Sequence, residues 1–230
     1  MDCVADEPVL TGPLEVAVPG ETAPSASPLL CMNCEVRARC LGGVAAEAGT
    51  AQLRSVLAGR RMLRIAEPLY ERGDSFAHVH VVRAGALKSS VRRGAGEEVR
   101  GFHFPGEVVG VDGMASGRQQ VTVTALEETQ LCVIRFAPRA NESAGVRAFL
   151  ARLWDMMSCD VVRERAHQAL LATLPPPRRV AAFLAAMARR MQGRRGRLPP
   201  GLAGGEIASY LRVQPETVAA GVEAFLSRER

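Results

Sequence analysis

From about residue 61 to 136, short apolar and β-branched runs alternate with glycine-containing turns. The runs are Met62-Leu63-Arg64-Ile65, Ala77-His78-Val79-His80-Val81-Val82, Ala86 to Val91, Glu98 to Phe102, Gln120 to Ala125 and Gln130 to Ile134. Between them stand Arg72-Gly73-Asp74, Ala84-Gly85, Arg93-Gly94-Ala95-Gly96 and Pro105-Gly106. Short strands at regular spacing with such punctuation predict a sandwich or barrel-like β-domain. After residue 143 the pattern changes. Val146, Phe149, Leu150, Leu153, Met156, Met157, Val161, Ala169 and Leu170 recur at three- and four-residue steps, which predicts one helix over 143–173. At about 1.5 Å per residue it would run ~45 Å. Such a stripe either pairs with its copy in a dimer or is buried on its own domain, and the pattern does not choose. Pro175-Pro176-Pro177 stops the helix and marks a domain boundary. Further helices are expected over Arg178 to Met191, Glu206 to Leu211 and Pro215 to about Ser227. Upstream, the proline-punctuated residues 1–30 read as a mobile arm, 31–42 as a cysteine segment, and 46–58 as a short helix offering Ala51, Leu53, Val56 and Leu57.

Composition narrows the class. The net charge of +5 and pI of about 9.2 are compatible with a nucleic-acid partner without establishing one. Nearly all the basic charge is arginine, with Lys88 the only lysine, a bias that fits a GC-rich genome. No apolar run approaches the ~20 residues of a membrane span. The acidic start Met1-Asp2-Cys3-Val4-Ala5-Asp6-Glu7 argues against a signal peptide, so no membrane partner and a cytoplasmic location are expected. No nucleophile–base set or phosphate-cradling glycine loop is present, so an enzyme is not expected.

Of the six cysteines, three fall within Cys31-Met32-Asn33-Cys34-Glu35-Val36-Arg37-Ala38-Arg39-Cys40, a C-x2-C-x5-C pattern. Without an export signal, disulfides are not expected. Soft thiolates select iron–sulfur clusters or zinc. A zinc knot would normally use two close pairs and only one is here, so iron–sulfur leads. A fourth ligand must come from elsewhere. Cys132 is the candidate, and by spacing alone it stands equally as a buried strand residue. Cys3 reads as an arm thiol and Cys159 as a helix-packing residue.

Three further segments carry a resemblance: His80 to Ser89, Gly101-Phe102-His103-Phe104-Pro105-Gly106-Glu107-Val108-Val109-Gly110, and Leu131-Cys132-Val133-Ile134-Arg135-Phe136. They are closely similar to the FNR branch of the CRP/FNR transcription regulators over roughly residues 31–226. The resemblance implies an α+β fold: a cyclic-nucleotide-binding-type β-roll (a jelly roll, 43–142), a dimerisation helix (143–174) and a helix-turn-helix domain (175–230). It implies an oxygen-labile [4Fe-4S] cluster on Cys31, Cys34, Cys40 and Cys132. It also implies a homodimer through Val146, Phe149, Leu150, Leu153, Met157 and Val161, with DNA and RNA polymerase as partners. Cyclic AMP is not expected: Val111 stands where cAMP-binding relatives carry Glu, and no Arg-Ser pair follows Arg118, which reads as a solvated loop residue. Haem is not expected either, since His78 and His80 read as a surface strand.

At the DNA-binding end, Glu206 to Leu211 resembles the first helix of the helix-turn-helix, and Pro215-Glu216-Thr217-Val218 opens the second. Here the chain departs from the family. Ala219 and Ala220 replace the Ser and the guanine-reading Arg, Arg212 takes a turn position that is usually Gly, and no wing is expected after Arg230. An Arg–guanine contact contributes ~1–3 kcal/mol of discrimination, so altered or poor specificity is expected. Glu216 reads equally as a cytosine acceptor or as a dipole-favoured acid. Arg212, Glu216, Thr217, Ala219 and Ala220 are the candidate DNA-facing residues. Two rival expectations are a relative with decayed DNA reading that acts through heterodimers or protein partners, and a zinc-stabilised protein without redox response.

Overall fold

The computed structural model describes residues 31, 34–43, 57–94, 96–135, 144–190 and 199–228. Cys3, the arm over 1–30, the side chain of Val146 and residues 46–56 of the expected short helix lie outside the described residues. The strands are β1 (Leu57–Leu63), β2 (Pro68–Tyr70), β3 (His78–Ala84), β4 (Leu87–Arg93), β5 (Gly96–His103), β6 (Val108–Val109), β7 (Thr122–Ala125) and β8 (Thr129–Arg135). They form two antiparallel sheets, ordered β1-β8-β3-β6 and β2-β7-β4-β5. The helices are α1 (Ala144–Thr173), α2 (Pro176–Arg190), α3 (Gly204–Leu211) and α4 (Pro215–Arg228).

Successive strand residues point to opposite faces, and the first sheet is covered on both. Its inner face sends Leu63, Val82, Val109 and Leu131 against Leu69, Leu87, Val123 and Ala125 of the second sheet. Its outer face sends Val79, Val81, Cys132 and Ile134 against Cys31, Val36, Cys40 and Leu41, and against Phe149 and Leu153 of α1. That double coverage explains why β3 and β8 read as nearly continuous apolar runs. It also corrects the surface-strand reading of β3: His80 is buried, with Nδ1 lacking a hydrogen-bond partner.

Tight turns set the strand register. Gly85 has φ +94, and a Cβ there would lie 2.4 Å from Thr129 Oγ1, so no other residue fits the β3–β4 turn. Leu57 and Ala58 belong to β1, with Leu57 opposite Ile134, so these two residues of the span expected as a helix over 46–58 are strand. Strands β2 and β6, three and two residues long, were not expected, because a two-residue period needs a longer run to show.

Helix α1 ends at Thr173, and the proline triplet both stops it and opens α2. Helices α2–α4 pack through Val180, Phe183, Leu184, Met187, Ile207, Leu211 and Val218 onto Ala86, Val99, Phe102, Phe104 and Leu126 of the β-roll. A change of texture at 175 therefore does not separate two cores. Helix α4 crosses α2 closely at Gly221, where a Cβ would fall 2.4 Å from Val180 Cγ1.

Candidate functional site

The cysteine segment is held by a ladder of three-residue turns. Cys34 N donates to Cys31 O, Arg37 N to Cys34 O, Cys40 N to Arg37 O and Gly43 N to Cys40 O, at 3.0–3.3 Å. A backbone with three residues per turn eclipses positions i, i+3, i+6 and i+9. The C-x2-C-x5-C spacing is thus a three-residue period with Arg37 in the open place, and it turns Cys31, Cys34 and Cys40 to one side. Gly43 makes the last turn possible, since a Cβ there would lie 2.0 Å from Arg37 O. A Cβ on Gly42 would sit 3.5 and 3.6 Å from the sulfurs of Cys31 and Cys40. The Gly42 N–H donates to Cys40 Sγ at 3.3 Å.

Cys132 reaches the same place from β8, about a hundred residues on, because its parity puts it on the outer face of the sheet. Its register partners are Arg60 in β1 and Val81 in β3. One pocket is lined by Cys31, Cys34, Cys40 and Cys132 together with Arg37, Arg60 and Arg83. It spans about 380 Å³ of atom-free space, part of it open solvent, and its interior has room for about one water. Its lining contains no carboxylate among the described residues. Burial raises the thiol pKa of Cys31 and Cys40, and that of Cys132 to about 12, with neighbouring thiols adding to the effect. These three thiols are therefore held in the neutral form, and a metal centre binding here would displace protons.

Among the described residues, no group of three or more His, Cys, Asp or Glu is drawn together tightly enough for one metal ion. Zinc needs all its thiolates within ~2.3 Å of a single point. A four-iron cluster takes one thiolate at each of four corners, so the four cysteines fit such a cluster by donor type and number.

The α1 stripe divides. Phe149 and Leu153 are buried within the chain against the cysteine cluster, with Met156 and Met157 partly buried beside them. Leu150, Trp154, Val161 and Val162 are exposed, Trp154 at 69%. Three residues expected at a dimer contact, Phe149, Leu153 and Met157, therefore pack within the chain beside the cysteines. Cys159, expected to pack, is exposed. Arg118 is exposed as expected, its guanidinium donating to Gly73 O.

At the C-terminal end, Arg212 adopts φ 53 and ψ 53, the left-handed conformation that favours glycine. For a residue with a Cβ this costs on the order of 1 kcal/mol. Arg179 steadies the turn by donating to Leu211 O and Arg212 O, and the Arg212 guanidinium lies 3.5 Å from Glu98 Oε1. Glu216, Ala219 and Ala220 are exposed on α4, and Thr217 is half-buried. Helix α3 is seated on β5: Ser209 Oγ accepts from Val99 N and donates to Glu97 O, and Tyr210 stacks on His167 of α1 at 3.9 Å.

A joint that the sequence did not signal lies between these regions. Glu107 accepts from Arg190 Nη2 at 2.8 Å and Nε at 3.2 Å, from Arg163 Nη1 at 3.1 Å and from Phe104 N at 3.1 Å. Arg190 also donates to Phe102 O at 2.6 Å and lies over the Phe104 ring. Burial alone would raise the Glu107 carboxyl; Arg190 and then Arg163 more than offset this and hold it below the usual carboxylate range. The loop before β6 is thereby tied to both α1 and α2. Its sequence segment carried only the family resemblance, and nothing in it pointed to partners 56 and 83 residues away.

A two-sheet roll followed by a long helix and a helix-turn-helix defines a ligand-binding-type β-roll joined to a DNA-binding end. The family described as Cyclic nucleotide-binding domain matches residues 60–137. Transcriptional activator protein FnrA of Stutzerimonas stutzeri is 32% identical over 195 residues, spanning 82% of this chain and 79% of the relative. The Fumarate and nitrate reduction regulatory protein of Escherichia coli (strain K12) is 25% identical over 194 residues, spanning 82% and 77%. The structure of FixK2 from Bradyrhizobium japonicum has a TM-score of 0.62 at 24% identity, covering 74% of this chain and 85% of that one, and shows the shared fold. The chain belongs to the CRP/FNR family of transcription regulators, in its FNR branch. These are regulators and not enzymes. No helix among the described residues is long and apolar enough to cross a membrane.

Proposed function

We propose that this regulator is a redox-responsive homodimer in which Cys31, Cys34, Cys40 and Cys132 hold a [4Fe-4S] cluster, and that DNA binding follows the state of that site. The observation that carries the reading is the convergence of four thiols, from two segments far apart in the chain, on one pocket whose described lining holds no carboxylate. When bound, the cluster supplies sensitivity to oxygen and other oxidants. The chain's own part is mechanical. Cys31 and Cys40 pack in one cluster with Phe149 and Leu153, so the order of the cysteine segment and the seat of α1 depend on each other. The neighbouring face of α1 carries Leu150, Trp154 and Val161 and is the surface for the second copy. Helices α3 and α4 form the DNA-reading pair, and RNA polymerase is the further partner in this reading.

The test is an absorption spectrum with iron and sulfide analysis of anaerobically purified protein, repeated with Cys132→Ser. About four irons and four sulfides per chain, lost in the variant and in air, support the reading. Colourless protein holding zinc or no metal refutes it. A second reading, a sensor that acts through protein partners or heterodimers, is favoured by the exposed Ala219 and Ala220, which present no hydrogen-bond donor to a base edge. Anaerobic sequence-specific binding to a palindromic duplex would dispose of it.

A further inference from the structure

We infer that Arg60 and Arg83, the two strand-borne arginines of the three that line the cysteine pocket, are counter-charges placing a positive field at the thiols that retains an anionic sulfur-ligated centre. The inference deepens the cluster reading above and rests on it. Arg60 is the register partner of Cys132 on the neighbouring strand. Arg83 lies where the β3–β8 register shifts, between Val82 and Ala84, and still lines the pocket. Its Nη1 donates to Gln130 Oε1 at 2.9 Å, which steadies the guanidinium on the strand. Both side chains are half-buried, so water screens them less than surface charges.

Four thiolates around a [4Fe-4S] core carry a net charge of about −2, and a pocket walled by valine and leucine would otherwise disfavour that charge. Two guanidiniums fixed on strands meet it without rearrangement. Arginine suits the role because it stays charged in any environment and presents several N–H donors to sulfur.

The field is measurable without metal. Metal-free protein is alkylated in parallel with iodoacetate and iodoacetamide, and the rates are read at individual cysteines by peptide mass spectrometry. Both reagents consume the same thiolate, so the ratio of their rates cancels thiol acidity and reports the local potential. Cys34, half-buried at the pocket, is the reporter, and the exposed Cys159 on α1 is the internal control. In Arg60→Gln/Arg83→Gln the iodoacetate preference at Cys34 should fall roughly threefold or more, with Cys159 unchanged. Arg60→Lys/Arg83→Lys should keep it, and Arg83→Gln alone should show a smaller fall in the same direction. After anaerobic reconstitution, the glutamine pair should release iron to a chelator faster than the parent. An unchanged ratio at Cys34 overturns the inference and leaves the cluster reading standing. Failure of the unsubstituted protein to take up iron and sulfide overturns the cluster reading, and the inference falls with it.

Discussion

Replacing Glu107 removes the only carboxylate that the Arg190 guanidinium contacts among the described residues. Arg190 retains Phe102 O and the Phe104 ring, but with 20% side-chain exposure it regains little water. Breaking a fully buried pair by deleting one partner costs about 3–5 kcal/mol. Glu107 retains 16% exposure, so Glu107→Ala should cost about 2–3 kcal/mol after allowance for solvent. The two partners should differ. Arg190 meets both carboxylate oxygens, whereas Arg163 meets one and is 39% exposed. A double-mutant cycle in urea at neutral pH should give a Glu107–Arg190 coupling of about 1.5–2 kcal/mol and a Glu107–Arg163 coupling below about 1 kcal/mol. Because Arg190 ends α2, amide exchange in α2 and α3 should also quicken in Glu107→Ala more than in the strands of the second sheet. A Glu107–Arg190 coupling below about 0.5 kcal/mol would refute the reasoning and reduce the joint to a surface contact.

The exposed face of α1 predicts that Trp154→Glu weakens self-association by roughly thirtyfold or more, from the loss of about 2 kcal/mol of apolar burial, as read by anaerobic sedimentation. Phe149→Glu should instead lower the stability of the monomer, because that side chain is buried in the chain itself. Stability should also fall on acidification. His80 is lowered to about 3 and His103 to about 4, burial being the main cause for each. Both folded values lie below the unfolded value of 6.5, so their contribution is full above pH about 6.5 and is lost as pH falls toward 4. A urea midpoint that does not change between pH 7 and 5, at constant ionic strength, would contradict this.

Much of the fold was legible because it rests on local periodicity. The step from two-residue to three- and four-residue spacing near residue 143 located α1, observed from Ala144 to Thr173. The proline triplet located its end for the same local reason. The short strands β2 and β6 escaped because they exist by pairing, as Val108 and Val109 do opposite Val81 and His80. His80 was misread because alternation cannot show that a sheet is covered on both faces.

Within the site, the cysteine triplet belongs to the sequence alone. Its three-residue period turns three thiols to one side wherever the backbone makes successive tight turns. Local pattern also located α3 and α4, while their reading as a helix-turn-helix, with Arg212 at its turn and Ala219 and Ala220 on α4, came from the family resemblance. Only the tertiary structure decided that Cys132 faces that triplet, because the facing depends on strand parity and on which layer covers the outer sheet. It alone divided the apolar residues of α1 between the cysteine pocket and the exposed face, since a stripe of hydrophobic positions does not specify what each side will meet. It alone joined Glu107 to Arg163 and Arg190. Periodicity is carried by neighbours along the chain, whereas charge pairing and convergence on a pocket depend on distances set only when the layers pack.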